Sequence, residues 1–377
     1  MRVLHVGKFY WPHTGGIETY LRQLVQGHKE FMDIEVVVAN DRPLTVEERS
    51  NAVRVTRVGS LGVVASTPIC PTLMRHLQGR RPDLIHLHAP NPGAMAAYAV
   101  TRPHGALVIS HHGDVLGRKI LRRMADPFAR YAMARAKAII VGTHAYLESS
   151  LELRPYRAKC HVIPYGVDVN EYTEPDDRQV RLIREEVAAP IILTVGRLVP
   201  YKGLEYLIQA METVAAVLVI IGDGPLRPTL EKRARDIGVQ NRVKFLGRVT
   251  DIRRYLHATD LFVLPSVTRA ESFGIVQLEA MACGKPVVNT SIDSGVPTVS
   301  INGVTGLTVP PRCPKSLANA INTLLNNPEL RSRFGAAALK RVHTEFTLDL
   351  MVRRTAQLYS EVVQTAGITD AQGGQNK

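Results

Sequence analysis

The sequence predicts an α/β protein built from two Rossmann-like, doubly wound domains, each a parallel sheet with helices on both faces. Three observations carry that expectation. Short aliphatic runs alternate with helical patterns along the whole chain, the alternation breaks once in the acidic segment 166–187 and then restarts, and 377 residues with 45% hydrophobic content can fill two ordinary cores. Disorder is excluded as the main theme, because so aliphatic a chain with 21% charged residues collapses and packs.

The first set of expected strands is Val3–Val6, Ile34–Ala39, Val53–Thr56, Leu84–His88, Ala106–Ser110, Ala138–Val141 and His161–Ile163. The second is Ile191–Val195, Ala216–Ile221, Val243–Phe245, Leu261–Leu264, Pro286–Asn289 and Gly306–Val309. Between them, Asp168, Glu171, Glu174, Asp176, Asp177, Glu185 and Glu186 accompany Pro175 with no aliphatic run, which places the junction there and divides the chain into 1–167 and 168–347. Residues 348–377 read as a closing helix, Leu348 to Val363, and a polar tail, Asp370 to Lys377, without structure. In such folds ligands sit beyond the carboxyl ends of the strands, so a cleft between the two domains is expected.

Composition narrows the partners. Cys70, Cys160, Cys283 and Cys313 form no Cys-x-x-Cys pair, so neither a zinc ribbon nor a disulfide framework is legible, and a reducing cytosol is the default. No run of about 20 predominantly apolar residues offers a membrane span. The formal net charge is +13, and residues 51 to 150 alone hold 13 Lys+Arg against 4 Asp+Glu. The densest stretch, 118–137, carries Arg118, Lys119, Arg122, Arg123, Arg130, Arg135 and Lys137, with Ile120, Leu121, Met124, Phe128 and Tyr131 between them at helical spacing. Such a helix can rest on anionic lipid headgroups or guide a phosphorylated acceptor; the plainer reading is a solvated helix with an ordinary core face. Nucleic acid is not expected, since aromatics are few and no recognition-helix or RNA-binding signature occurs.

Three loops carry chemistry. Trp11 to Glu18 follows the first strand and places Gly15 and Gly16 at a helix N-terminus, where backbone N–H groups and the helix dipole favour an anion, although Gly-Gly is also a common turn. Gly196 to Gly203 holds the same position in the second half, and Arg197 and Lys202 at its ends can converge on one phosphate. Glu271 and Glu279, eight residues apart, bracket Phe273, Gly274, Ile275 and Val276 at the start of a helix. One carboxylate can then hold a sugar hydroxyl and the other a ribose, with N–H groups left for a phosphate between them. Paired acids also suit glycoside hydrolysis, but a hydrolase needs no pair of anion-binding loops. His112 follows a central strand and faces the ligand side, where imidazole donates to a hydroxyl or a phosphate oxygen. His86 and His88 read as alternating between the two faces of a strand and so are poor metal ligands, and no Asp-x-Asp is present to hold a nucleotide-bound divalent ion.

Taken together, Gly15-Gly16-x-Glu18, Gly196-Arg197 to Lys202-Gly203, Gly222-Asp223-Gly224-Pro225, Glu271 to Glu279, and Gly303 to Gly306 with Val309-Pro310 resemble the large family 4 of retaining glycosyltransferases over nearly the whole chain. The resemblance implies the GT-B fold, with the acceptor held by the first domain, the nucleotide sugar by the second, and the last helix returning to the first. It implies that Arg197 and Lys202 clamp the donor diphosphate, that Gly16 approaches it, and that Glu279 holds the ribose and Glu271 the sugar hydroxyls. His112 would lie against the donor sugar, the N–H groups of Phe273 to Val276 would bind phosphate, and the loop of Gly247, Arg248 and Val249 would face the base. No metal and no cofactor is implied. The partners are a nucleotide sugar, a saccharide or polyprenyl-diphosphate-linked acceptor and, through 118–137, an anionic membrane surface at the inner face of the cytoplasmic membrane.

The chain departs from many members in one place, with Asp293-Ser294-Gly295-Val296-Pro297 where a Gly-Gly turn is usual. That form resembles mannosyl- and rhamnosyltransferases of bacterial surface polysaccharides. Two other readings compete: a phosphorylase or epimerase on the same fold, and a non-enzymatic basic protein that binds membranes. The first lacks a pyridoxal phosphate lysine segment, and the second has no use for Glu271, Glu279, Arg197 and Lys202.

Overall fold

A computed structural model describes residues 1–13, 15–51, 53–64, 67–114 and 119–373. The chain forms two compact units, Met1–Pro164 together with Leu348–Lys377, and Tyr165–Thr347. The strands of unit 1 are β1 (Arg2–Val6), β2 (Asp33–Ala39), β3 (Val46–Ser50), β4 (Val53–Val58), the short β5 (Val63–Val64) and β6 (Thr67–Pro68), β7 (Leu84–Ala89), β8 (Ala106–His111), β9 (Ala138–Val141) and β10 (Cys160–Val162). Eight of them form one sheet in the order β10-β9-β8-β7-β1-β2-β4-β3, while β5 and β6 pair separately. All neighbours in the large sheet are parallel except β3 on β4.

Every aliphatic run expected to be a strand is one, because β7 and β8 are buried along their whole length and a strand covered on both faces reads as a continuous apolar run. Two features were not expected. β3 reads Val-Glu-Glu-Arg-Ser and is largely exposed at the sheet edge; Glu48 on it accepts from Arg57 Nε on β4 at 2.9 Å, so charge pairing rather than a hydrophobic face holds it. The β5–β6 pair is too short for any period to show.

The two faces of the unit 1 sheet differ in chemistry. Leu4, Val6, Ile85, Leu87, Leu107 and Ile109 form an aliphatic core on one side. On the other, His5, His86, His88 and Ser110 lie under the first helix, Gly16–His28, which brings Tyr20 and His28, and under the closing helix, Leu348–Gly373, which brings Tyr359. His86 and His88 therefore do not alternate between faces: strand side chains have a period of two, residues two apart share a side, and these rings are 4.3 Å apart. The closing helix packs in unit 1 against the first helix, where a Cβ on Gly27 would meet Val352 Cγ2 at 2.4 Å and His28 Nε2 bonds the Val352 carbonyl at 2.9 Å. It runs ten residues beyond Val363, to Gly373, because extending a helix already nucleated costs little. The last four residues of the polar tail, 374–377, lie outside the described residues.

Unit 2 contains β11 (Ile191–Val195), β12 (Val217–Ile221), β13 (Val243–Gly247), β14 (Leu261–Leu264), β15 (Val287–Thr290) and β16 (Gly306–Val309), all parallel in the order β13-β12-β11-β14-β15-β16. Its boundary falls at Tyr165, whose ring meets Phe273 at 4.6 Å, and the Val167 N–H reaches the Phe346 carbonyl at 2.9 Å. In each sheet the strand order reverses beside its first strand, between β1 and β7 in unit 1 and between β11 and β14 in unit 2. Loops leaving those strands at their carboxyl ends are where such sheets bind ligands.

Candidate functional site

Two loops of unit 2 meet at its switch point. Gly196 to Lys202 leaves β11, and Pro265 to Glu271 leaves β14; Gly196, Arg197, Lys202 and Pro265 line one recess together with Thr194 and Leu264. The first loop is tight because glycine allows it. Gly203 has φ +64° and a Cβ there would strike the Pro265 carbonyl oxygen at 2.2 Å, while a Cβ on Gly222 would strike that of Gly196 at 2.0 Å.

Within this recess Lys202 Nζ stands 2.5 Å from Glu271 Oε2, with both side chains only 12% exposed. Burial opposes the ammonium charge, but the Glu271 carboxylate outweighs it and holds Lys202 above the usual lysine range. Ser266 Oγ donates to the same carboxylate oxygen at 3.1 Å. Arg197 is exposed, and its guanidinium has no partner among the described residues. One cation is thus paired and inside, the other open at the rim.

Beyond Glu271 the chain turns into the helix Val276–Ala282 through Gly274 at φ +72°. Phe273 is buried against Tyr165 and Phe346 and pins the turn to the core. Beneath it, Gln277 Nε2 donates to the Phe273 carbonyl at 3.0 Å, and Asn289 Nδ2 donates to Gln277 Oε1 at 3.0 Å and to the Val296 carbonyl at 3.1 Å. The Gly295 N–H bonds the Ser272 carbonyl at 2.8 Å, so the Asp293 to Pro297 element braces this turn. No acceptor among the described residues takes the N–H of Phe273, Gly274, Ile275 or Val276. A rigid turn with four available donors is a cradle for an anion.

Glu279 projects from the first turn of that helix. Burial raises its carboxyl to about 7, against a hydrogen bond from the Tyr172 hydroxyl that favours the ionised form. Arg248 and Val249 follow β13 on the same carboxyl edge of the sheet, and Arg248 is exposed.

Residues 175–341 match the model of "Glycosyl transferases group 1", and residues 14–171 match that of "Glycosyltransferase Family 4". The O-antigen chain mannosyltransferase C of Escherichia coli is 31% identical over 97% of this chain and 100% of its own length. This chain belongs to the group 1 glycosyltransferases. D-rhamnosyltransferase WbpZ of Pseudomonas aeruginosa is likewise 31% identical, over 92% of each chain. Among solved structures, a sucrose-phosphate synthase from Thermosynechococcus elongatus superposes with a TM-score of 0.80 at 22% identity, covering 97% of this chain and 100% of that one. The Anabaena protein HepE in complex with UDP and glucose gives 0.79 at 23% identity, over 96% and 100%. Both show the GT-B fold.

In unit 1 of this glycosyltransferase, Gly15 and Gly16 open the first helix as expected from the sequence. A Cβ on Gly15 would meet Glu18 Oε2 at 2.3 Å, so the Glu18 carboxylate lies over Gly15 at the positive end of the helix. Burial holds that carboxyl above the usual range, while its own backbone N–H, Lys8 and His13 favour its charge. His112 follows β8, is 9% exposed, and its backbone N–H is held by the Ala89 carbonyl at 3.0 Å. His111 turns to the opposite face, to the Tyr146 hydroxyl at 2.9 Å and Glu152 at 3.4 Å. Four neighbours of the site were not read from sequence: Ser266, Tyr172 and the buried pair Gln277 and Asn289. Ser266 stood in reach of the strand-end argument; Tyr172 lies in the acidic junction, where no period marks it.

Proposed function

We propose that this group 1 glycosyltransferase is a retaining, metal-independent hexosyltransferase that takes a nucleotide-diphosphate sugar, GDP-mannose-like or a UDP-sugar, and glycosylates a saccharide or polyprenyl-diphosphate-linked acceptor in cell-surface polysaccharide assembly. The observation that carries this reading is the switch point of the unit 2 sheet, where the exposed Arg197 and the buried Lys202–Glu271 pair stand on adjoining loops, followed by a turn whose four N–H groups take no acceptor among the described residues. Breaking the sugar–phosphate bond puts negative charge on the departing diphosphate, and fixed cations and N–H donors stabilise it there. An ammonium has three donors, so Lys202 can hold Glu271 and a phosphate oxygen together. Those cations supply the charge that a divalent ion supplies elsewhere. Glu271 is assigned to sugar hydroxyls, Glu279 to the ribose, and the Arg248–Val249 segment to the base. From unit 1, the start of the first helix at Gly15 and Gly16 is assigned to phosphate and His112 to the donor sugar.

The relatives support the pathway, since their names place them in O-antigen chain mannosylation and in D-rhamnosyl transfer. The decisive experiment is calorimetric titration with UDP, GDP and ADP in parallel, followed by transfer assays with and without EDTA and NMR of the new linkage. One base is expected to dominate, EDTA to leave turnover unchanged, and the anomeric configuration of the donor to be kept. Binding of none of the three, loss of turnover in EDTA, or inversion would each remove part of the proposal.

The same reading places the enzyme at the inner face of the cytoplasmic membrane as a peripheral protein. Among the described residues no helix is long and apolar enough to cross a membrane. The basic segment forms the helix Lys119–Arg135, with Ala132 and Met133 buried and with Arg123, Met124 (68% exposed), Phe128 (39% exposed), Arg130 and Arg135 outward; Arg118 lies outside the described residues. Cations flanking two bare apolar side chains suit an anionic headgroup layer. Arg123→Gln and Arg130→Gln are each expected to weaken co-sedimentation with phosphatidylserine vesicles about fivefold, the scale of about 1 kcal/mol per cation. Binding that is indifferent to both substitutions would assign this face to solvent.

A further inference from the structure

Between β4 and the helix Leu73–Gln78, unit 1 carries a small hairpin whose aliphatic side chains face outward. Its strands β5 and β6 pair antiparallel, with Val63 opposite Pro68 and Val64 opposite Thr67; residues 65 and 66 between them lie outside the described residues. Neighbouring residues of a strand point to opposite faces, yet Val63 and Val64 are 57% and 51% exposed, so β5 is bare on both. Leu61 at 71%, Ile69 at 44% and Met74 at 38% extend the bare surface into the flanking chain. Two short strands hold no core of their own, and an apolar surface of this kind marks a contact site.

The base of the hairpin is fixed. Pro68 is buried, Cys70 Sγ lies 3.8 Å from the Val58 carbonyl oxygen, and Cys70 and Leu73 pack with Leu77 on the aliphatic core of unit 1. That core also receives Ala132 and Met133 of the basic helix Lys119–Arg135, so the hairpin and the basic helix stand on the same side of the sheet. The hairpin's polar backbone is bonded internally. The Leu61 N–H donates to the Ile69 carbonyl and the Ile69 N–H to the Gly62 carbonyl, both at 2.9 Å. Ser60 Oγ accepts from the Gly62 N–H at 3.2 Å and donates to the Gly62 carbonyl at 2.9 Å. Hydrocarbon accepts a backbone only where its polar groups are already bonded.

Charge and composition select the partner. Residues 49–82 contain six arginines and no Asp or Glu. Arg54, Arg57 and Arg80 are taken up by Glu35 and Glu48. Arg75, next to Met74, and Arg42, whose carbonyl accepts from the Ser60 N–H at 2.9 Å, are exposed and have no acidic partner among the described residues. Residues 59–74 hold no aromatic and no charged side chain, so they offer a saccharide neither a stacking platform nor a charged hydrogen-bond partner. Bare aliphatic side chains with cations beside them match a layer that is anionic at its surface and hydrocarbon beneath.

We propose that Leu61, Val63, Val64, Ile69 and Met74 enter the acyl-chain layer of an anionic membrane while Arg42 and Arg75 meet its headgroups. The proposal rests on the peripheral-membrane reading and deepens it: the basic helix supplies attraction that salt screens, and the hairpin supplies insertion that salt leaves in place.

The test uses the full chain and vesicles of phosphatidylcholine and phosphatidylserine, with the acyl chains brominated in one series. The chain has a single tryptophan, Trp11, so Val63→Trp in a Trp11→Phe background puts the only indole on β5. On vesicle binding its emission is expected to shift to the blue, to be quenched by the bromines and to lose its quenching by aqueous iodide. Leu61→Asn and Val63→Asn are each expected to weaken co-sedimentation about tenfold, the scale for burying one aliphatic side chain, and to do so in about 0.5 M NaCl as in low salt. Both positions are exposed, so thermal unfolding should not move, which separates lost insertion from lost structure. An indole that stays in water on bound vesicles overturns the proposal and leaves the basic helix as the membrane contact. Failure of the wild-type chain to bind at low salt removes the peripheral-membrane reading and the role of the hairpin with it. Blue-shifted emission without vesicles, accompanied by a doubled mass in sedimentation, overturns the proposal in favour of a second copy of this chain.

Discussion

Lys202→Ala is expected to lower the rate of sugar transfer about 10²- to 10³-fold, the loss seen when one fixed donor to developing negative charge is removed. It is also expected to destabilise unit 2, for a separate reason. Lys202 and Glu271 face each other at 2.5 Å with both side chains 12% exposed, so truncating the lysine strands a buried carboxylate whose other side-chain partner is the Ser266 hydroxyl. Breaking such a pair from one side costs about 3–5 kcal/mol. A combined Lys202→Met and Glu271→Gln variant separates the two effects, since it removes both charges and keeps the volume. Its unfolding temperature is expected to return close to wild type while transfer stays low. Arg197→Ala supplies the complementary case. Arg197 is exposed and has no partner among the described residues, so its removal should leave stability within about 0.5 kcal/mol and still depress turnover. Thermal unfolding and initial rates on the same preparations check all three. Wild-type turnover in either single-cation variant would move the diphosphate away from this loop.

The Lys202–Glu271 pair shows which parts of the molecule are legible in sequence. The strands are, because β1, β7, β8, β11 and β12 are buried on both faces and burial writes itself as an aliphatic run. The loops that follow them are also legible, since their glycines answer to backbone demands: Gly203 and Gly274 sit at φ +64° and +72° with no room for a Cβ. What one residue does to another across the sheet is not written locally. Lys202 and Glu271 were assigned to different parts of the ligand, and only the adjacency of β11 and β14 makes them an ion pair. Phe273 was read for its N–H, but its ring is a core residue, and the N–H is held in place by that ring. His5 drew no notice in an apolar strand, because a single polar residue there looks like a satisfied core position. Its partner is His88, 83 residues away on the neighbouring strand β7.

If Glu279 holds the ribose as proposed, the second large effect is a pH dependence of nucleotide binding. Burial lifts its carboxyl to about 7, from an ordinary 4.5. The folded chain therefore holds a proton that the unfolded chain releases between those values. The sign follows from proton counting: where the folded state binds more protons, stability falls as pH rises, so this group's contribution is fully present below 4.5, declines towards 7 and is level above it. The span corresponds to about 3 kcal/mol. A ribose offers two hydroxyl donors and is best held by the ionised carboxylate, so affinity moves the other way. Between about pH 6 and pH 8 the ionised fraction grows about tenfold, and affinity for a nucleoside diphosphate is expected to rise by a similar factor. Glu279→Gln keeps an oxygen for the Tyr172 hydroxyl and removes the titration. Its affinity should follow only the nucleotide's own phosphate ionisation, and at about pH 8 it should unfold at a higher temperature than wild type because no buried charge has to be supported. Calorimetric titration at three pH values on both proteins decides the matter; parallel curves for wild type and Glu279→Gln would take the ribose away from Glu279.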